Sequence, residues 1–316
     1  MTPSKHAMVL GATGFIGRRL SVHLASTGWR VDRVVRRSHA SGDDLVESHG
    51  PTRTIRIGPS GDWIGRALAL SEPSVVFNLA AAGVGMQIPY SHLVDGNAGI
   101  VARILENLNP RRTTTVVHAG SWSQYLQENP TDAIEETVRM EPPTVYGAAK
   151  VGAELVGRAI SREIGIHFVT LRLFNVYGPG EGPSRLIPYV TEAVSTGAVA
   201  DLTSGEQIRD FVHVDDVVTA FEACAVRTQP AAASFNVATG VPTRVRDVAA
   251  MAAAAAGGDL TLLRFGAKPP RANEPLRVVG DASALTQATG WKPQIPVAKG
   301  VHDTVRGILE GRANRD

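Results

Sequence analysis

Tyr146 and Lys150 stand four residues apart in a stretch, 145–164, whose pattern predicts a helix, so both side chains share one face. A phenol ionises at about pH 10, too high for acid–base work at neutral pH. A neighbouring ammonium favours phenolate and lowers that value. Lysine suits the role because its charge is compact and its stem is flexible. Tyr-x-x-x-Lys also arises by accident, so the pair needs company. It has some upstream: Val116-Val117-His118-Ala119-Gly120-Ser121-Trp122-Ser123-Gln124-Tyr125 reads as a strand ending in hydroxyl residues.

A second chemistry lies at the start of the chain. Met8-Val9-Leu10 runs into Gly11-Ala12-Thr13-Gly14-Phe15-Ile16-Gly17, a strand, a tight turn and a helix start. Gly11 permits the turn, Gly14 admits a pyrophosphate, and Gly17 lets helix and strand pack closely. Free N–H groups at the helix start then face phosphate oxygens. Gly11, Thr13, Gly14, Phe15, Ile16 and Gly17 are therefore the candidate cradle for a nicotinamide dinucleotide. Its cationic ring would add to Lys150 in favouring the Tyr146 phenolate. The next strand ends Val34-Val35-Arg36-Arg37-Ser38, where a carboxylate would read the 2′-hydroxyl of NAD. Arginine instead suits a 2′-phosphate. Arg36 and Arg37 thus favour NADP(H) over NAD(H).

These groups need elements to hold them. Strand-like runs at 7–10, 31–35, 54–57, 75–79, 114–118 and 167–172 alternate with helical patterns at 16–27, 63–71, 97–108 and 145–164. The runs are continuously apolar, the mark of an α/β fold whose doubly wound parallel sheet is covered on both faces. After Tyr177 the texture changes to Gly178-Pro179-Gly180 and Gly182-Pro183, then a helix near 187–196. We expect a dinucleotide-binding domain over 1–176 and a smaller, mixed substrate-binding lobe over 177–316, some segments of which return to the sheet. Such a lobe closes over the carboxyl edge, where open α/β sheets bind ligands.

Composition narrows the partners. A formal charge of +2 in 316 residues, with no long Lys/Arg cluster, predicts no nucleic-acid partner. No stretch approaches the ~20 apolar residues that span a bilayer, and the apolar run 7–10 is too short for a secretory leader. A cytoplasmic protein with no membrane partner is expected. The one cysteine, Cys224, excludes an intrachain disulfide and reads as a small core residue. His213, Asp215 and Asp216 match no zinc spacing, so no metal is expected.

Separated motifs now appear in order: Gly11-x-x-Gly14-x-x-Gly17, Asn78-Leu79-Ala80-Ala81, Asn97 opening a helix, Ser121, Tyr146-x-x-x-Lys150, Leu171-Arg172-Leu173-Phe174-Asn175-Val176-Tyr177-Gly178-Pro179-Gly180, and Arg209-Asp210-Phe211-Val212-His213-Val214-Asp215-Asp216. Over nearly the whole chain this resembles the extended short-chain dehydrogenase/reductase family of nucleotide-sugar epimerases, dehydratases and ketoreductases. The resemblance implies a Rossmann sheet and a homodimer formed by helices 97–108 and 145–164. It implies that Ser121 binds the reacting oxygen, Tyr146 is the general acid/base, and Lys150 tunes Tyr146 and holds the nicotinamide ribose. Leu79, Ala80 and Ala81 would line the cofactor, Ser123 the sugar, and Asn175, Arg209 and Arg271 the diphosphate of a nucleotide-sugar substrate. By the same resemblance, the segment from His213 to Asp216 is structural.

Departures limit what transfers. Ala149 and Leu126 replace a usual hydroxyl and a usual glycine, and Gly58-Pro59-Ser60-Gly61-Asp62 is not the usual acidic adenine motif, leaving Asp62 as a candidate ligand. The dehydratases' acidic pair is absent from Ser121-Trp122-Ser123-Gln124. Among the remaining chemistries, the two arginines favour an NADPH-dependent 4-ketoreductase of a nucleotide-linked deoxysugar over an NAD-dependent 4-epimerase. A dinucleotide-sensing protein without catalysis is the alternative of another class, and the intact Ser121, Tyr146 and Lys150 weigh against it.

Overall fold

Unbroken apolar runs make the central strands, because a strand sandwiched between helices has no wet side. The computed structural model describes residues 5–37, 44–58, 61–83, 88–126, 131–226, 232–270 and 274–313. β1 (His6–Leu10), buried throughout, leads to α1 (Phe15–Ser26), β2 (Arg30–Arg36), β3 (Leu45–His49), β4 (Thr52–Ile57), α2 (Trp63–Ser71) and β5 (Val75–Asn78). α3 (Tyr90–Val94) passes through a π-helical turn, Asp95–Gly99, into α4 (Ile100–Asn107). β6 (Thr115–Ser121), α5 (Val145–Ile164) and β7 (His167–Leu173) follow.

Beyond them come β8 (Asn175–Tyr177), α6 (Leu186–Ser195), β9 (Ala200–Asp201), β10 (Ile208–His213), α7 (Val214–Val226) and β11 (Ala232–Val237). The chain ends with β12 (Pro242–Arg244), α8 (Val245–Ala255), β13 (Leu263–Arg264), β14 (Arg277–Val278), α9 (Ser283–Thr289) and α10 (Val297–Ala313). The main sheet runs β11-β7-β6-β5-β1-β2-β4-β3 and is parallel except where β3 pairs with β4. A second sheet, β12-β10-β14, takes β8 on β10.

The doubly wound parallel sheet is thus as the apolar runs predict. On one face Leu20, Leu24 and Phe221 from α1 and α7 pack on Phe77; on the other, Ile64, Ile104 and Ala153 from α2, α4 and α5 pack on Ile55 and Phe168. The smaller core holds Tyr177, Ile187, Val248 and Val301. From the second half of the chain, β11 pairs with β7 and α7 packs on the main sheet.

Two local expectations are corrected. Asn97 does not open a helix: it lies inside the π-helical turn of a helix begun at Tyr90, and its amide donates to the carbonyls of Leu93 and Ala82. Those two bonds hold the wide turn that an uninterrupted α-helix would close. β3 was not legible as a strand, because every residue in it is exposed and it borrows its conformation from β4. The strand expected at 114–118 runs on to Ser121, which places that hydroxyl at the carboxyl edge of the sheet.

Candidate active site

The glycine turn has the shape its residues predict. Gly11 sits at φ +78°, and a side chain on Gly17 would lie 2.1 Å from the Gly11 carbonyl oxygen. Only a residue without Cβ fits there. Gly14 caps α1 with no side-chain hydrogen bond, and the first turn holds no acidic residue. The helix therefore presents N–H groups and the positive end of its dipole to this edge, with no acidic residue in its own first turn. A dinucleotide pyrophosphate fits these donors. Thr13 is exposed, Phe15 and Ile16 are half-buried beside it, and Leu79 crosses the turn with its N–H on the Leu10 carbonyl (3.0 Å). Ala80 and Ala81 continue along the same edge.

At the far end of the cradle Arg36 is exposed, its guanidinium carbon 5.6 Å from the centre of the Trp63 ring. Arg37 is half-buried, with its N–H on the Ile57 carbonyl. Asp62, the candidate adenine ligand, caps α2 by accepting the N–H of Gly65 at 3.0 Å. Sequence reasoning also missed Asp44. It accepts from Arg66 Nε (2.7 Å) and the Gly58 N–H (3.0 Å), and these bonds, with the nearby Arg37, hold its carboxyl below the usual range. No spacing announced it, since Asp44 precedes β3 and meets Gly58, just past β4, and Arg66 of α2 only in the folded chain.

Ser121, Tyr146 and Lys150 do come together. Ser121 Oγ is hydrogen-bonded to Ser123 Oγ at 2.7 Å, and its hydroxyl works to lower the Tyr146 phenol. Thr144 caps α5 by accepting the Gly147 N–H, which fixes where the helix starts and hence where Tyr146 points. Lys150 is 3% exposed; its Nζ donates to the Ala119 carbonyl at 2.8 Å and lies 5.9 Å from the Tyr146 ring centre.

The ionisation differs from the expected one. Burial raises the phenol of Tyr146, and the hydroxyl of Ser121, rather than Lys150, works against that rise. Lys150 is itself pushed down to about 8 by burial. Because its folded value lies below its unfolded one, the charge destabilises the fold below pH 8, and the cost fades as pH rises toward the unfolded value of about 10.4. Lys150→Met is expected to stabilise the cofactor-free protein by about 1–3 kcal/mol at pH 7 while removing activity. Denaturant unfolding checks this; a gain that did not shrink between pH 8 and 10 would disprove the charge as its source.

The substrate side is less assembled. Asn175 opens β8 beside Phe211 of β10, and its amide nitrogen is buried without a partner among the described residues. Arg209, 6% exposed, donates to Glu274 Oε1 at 2.9 Å, so a carboxylate already answers the charge expected to meet a diphosphate. Gln207 holds the other oxygen of Glu274 at 3.2 Å. Ser123 is half-buried next to Ser121. Arg271 lies outside the described residues.

The remaining polar groups have structural duties. His118 Nδ1 accepts from Asn78 at 3.1 Å, and burial followed by the Lys150 charge keeps the ring neutral. Asp216 accepts the N–H groups of Gln294 and Ile295, while Asp215 pairs with Arg19. Cys224 is fully buried and its thiol is raised to about 12. No described helix is long and apolar enough to cross a membrane.

Comparison with known proteins bears on the family and the fold. The chain is 26% identical to CDP-abequose synthase of Salmonella typhimurium over 96% of its length and 98% of that protein's. It is 28% identical to UDP-glucose 4-epimerase of Mycolicibacterium smegmatis, covering 94% and 96%. Among solved structures it matches the Thermotoga maritima UDP-glucose 4-epimerase with UDP-glucose at 25% identity and TM-score 0.85, covering 97% and 99%. It matches the Thermus thermophilus UDP-glucose 4-epimerase complex with NAD at 26% and 0.82, covering 96% and 99%. A model of the NAD dependent epimerase/dehydratase family matches residues 7–238. With that match and a cradle, a Tyr–Lys helix and a serine-ended strand on one sheet edge, the chain belongs to this family of NAD(P)-dependent enzymes, the extended short-chain dehydrogenase/reductases.

Proposed function

We propose that the protein is an NADPH-dependent 4-ketoreductase acting on a nucleotide-linked (deoxy)sugar. The observation that carries the reading is the end of β2, where Arg36 and Arg37 stand in place of a carboxylate. When bound, the dinucleotide supplies a hydride. Tyr146 gives its phenolic proton to the oxygen that develops charge, and Ser121 donates a hydrogen bond to the same oxygen. Lys150 holds the ribose and favours phenolate once that proton has left. The buried amide nitrogen of Asn175, without a partner among the described residues, supports a contact with the substrate's diphosphate, and Ser123 one with the sugar. Arg209 meets the phosphates by exchanging Glu274 for them, and Arg271 is the second proposed phosphate contact.

Loss of NADPH absorbance with a nucleotide-linked 4-ketosugar tests the reaction directly. The phosphate reading has its own test. Arg36→Ala/Arg37→Ala is expected to weaken NADPH binding by about 10–100-fold in fluorescence titration, leaving NADH nearly unchanged. Equal losses for both cofactors would refute it.

An NAD-dependent 4-epimerase is the second reading, favoured by the related epimerases and by the relative solved with NAD. Denaturing the purified protein separates the two: released NAD supports the epimerase, whereas an empty protein that binds NADPH supports the reductase.

A further inference from the structure

The turn that carries Ser121 is held from beneath by groups the reaction does not touch. Ser121 donates its backbone N–H to Gln124 Oε1 at 2.8 Å, and Gln124 Nε2 donates to Glu154 Oε2 at 2.8 Å. Glu154 lies on α5 four residues beyond Lys150 and eight beyond Tyr146, so it extends the face that bears both. Its carboxylate is locked in turn by Arg172 of β7, with Nε on Oε2 at 3.0 Å and a terminal nitrogen on Oε1 at 2.6 Å. Gln124, Glu154 and Arg172 are 0%, 0% and 2% exposed. The close approach is built in: a side chain on Gly147 would meet the Ser123 carbonyl oxygen at 2.2 Å.

We propose that Gln124 is a positioning residue, whose amide straps the Ser121 peptide to Glu154 on the Tyr146 helix and so sets the Ser121 hydroxyl against the phenol. The proposal rests on the reading of Tyr146 as acid/base. Bridging of this kind fixes a distance between two elements that carry separate halves of one site, and a misplacement of about 1 Å can cost ~100-fold in rate. Glu136, Tyr125 and Asn236 continue the buried network away from the site and serve the fold.

Gln124→Met removes both ends of the strap at similar volume and leaves the Glu154–Arg172 pair intact. We expect kcat to fall about 10–100-fold, with KM and NADPH affinity within about two-fold of the parent. Since the Ser121 hydroxyl lowers the phenol, its displacement should also move the alkaline limb of the kcat–pH profile upward. Gln124→Glu is the second variant. It keeps the acceptor for Ser121 and, only when protonated, the donor for Glu154, so its turnover should recover toward acid pH. An unchanged kcat, an unmoved alkaline limb, or a Gln124→Glu enzyme that is no better at acid pH would overturn the proposal. So would a loss of NADPH binding in step with kcat. Failure of the acid/base reading shows separately, as normal turnover by Tyr146→Phe.

Discussion

Tyr146→Phe is expected to lower turnover by about 1000-fold while leaving dinucleotide affinity within a few-fold, because a general acid is worth ~100 to 10,000-fold. Phenylalanine keeps the ring near Lys150 and loses only the hydroxyl on which Ser121 acts. The cradle at Gly11–Gly17 and the buried ammonium of Lys150 stay in place. Fluorescence titration with NADPH and initial rates under saturating cofactor separate binding from chemistry. A variant that turned over normally would remove Tyr146 from the mechanism. One that lost cofactor binding and rate together would make it a structural residue.

The second large effect is on stability. Arg172→Met leaves Glu154 buried with its main counter-charge gone, though Gln124 and Ser234 still donate to it and Arg158 stays at 3.6 Å. Breaking a buried pair by removing one partner costs about 3–5 kcal/mol, since the remaining charge has no water to turn to. In the parent protein burial raises Glu154, and the bonds and charge of Arg172 outweigh it and hold the carboxyl low. A group depressed in this way stabilises the fold above its unfolded value of about 4.3, and that contribution disappears as pH falls through the folded value. Without Arg172 burial wins, the carboxyl rises, and the deficit should be largest at neutral pH and narrow toward pH 4. Urea unfolding across that range checks both size and sign. Arg172→Met/Glu154→Leu, which removes both charges, should recover most of the loss. If the double variant is no better than the single, the cost lies in packing around Met140 and Tyr125 rather than in the stranded charge.

Much of the frame was readable because it is local. Apolar runs give parallel strands, i and i+4 put Tyr146 and Lys150 on one helix face, and three glycines between a strand and a helix specify a turn within a few residues. The strand ending at Ser121 could be aimed at the carboxyl edge of the sheet for the same reason. Local rules misled where a distant segment set the outcome. Asn97 sits mid-helix because the carbonyl of Ala82 and the turn starting at Tyr90 claim its amide. Arg209 pairs with Glu274, 65 residues away, a contact that no local pattern announces.

What the amino-acid sequence alone determined is the chemistry on offer: a pyrophosphate cradle, a phenol with a lysine one turn on, and a serine at a strand end. The tertiary structure decided the charge states and the alignment of those groups. Burial lowers Lys150 and raises Tyr146, and solvent exclusion is a property of the packed whole. The Ser121–Gln124–Glu154–Arg172 strap joins residues 30 and 18 apart across three elements, so no periodicity or spacing could announce it. Pattern follows from neighbours along the chain, whereas electrostatics and position follow from neighbours in space.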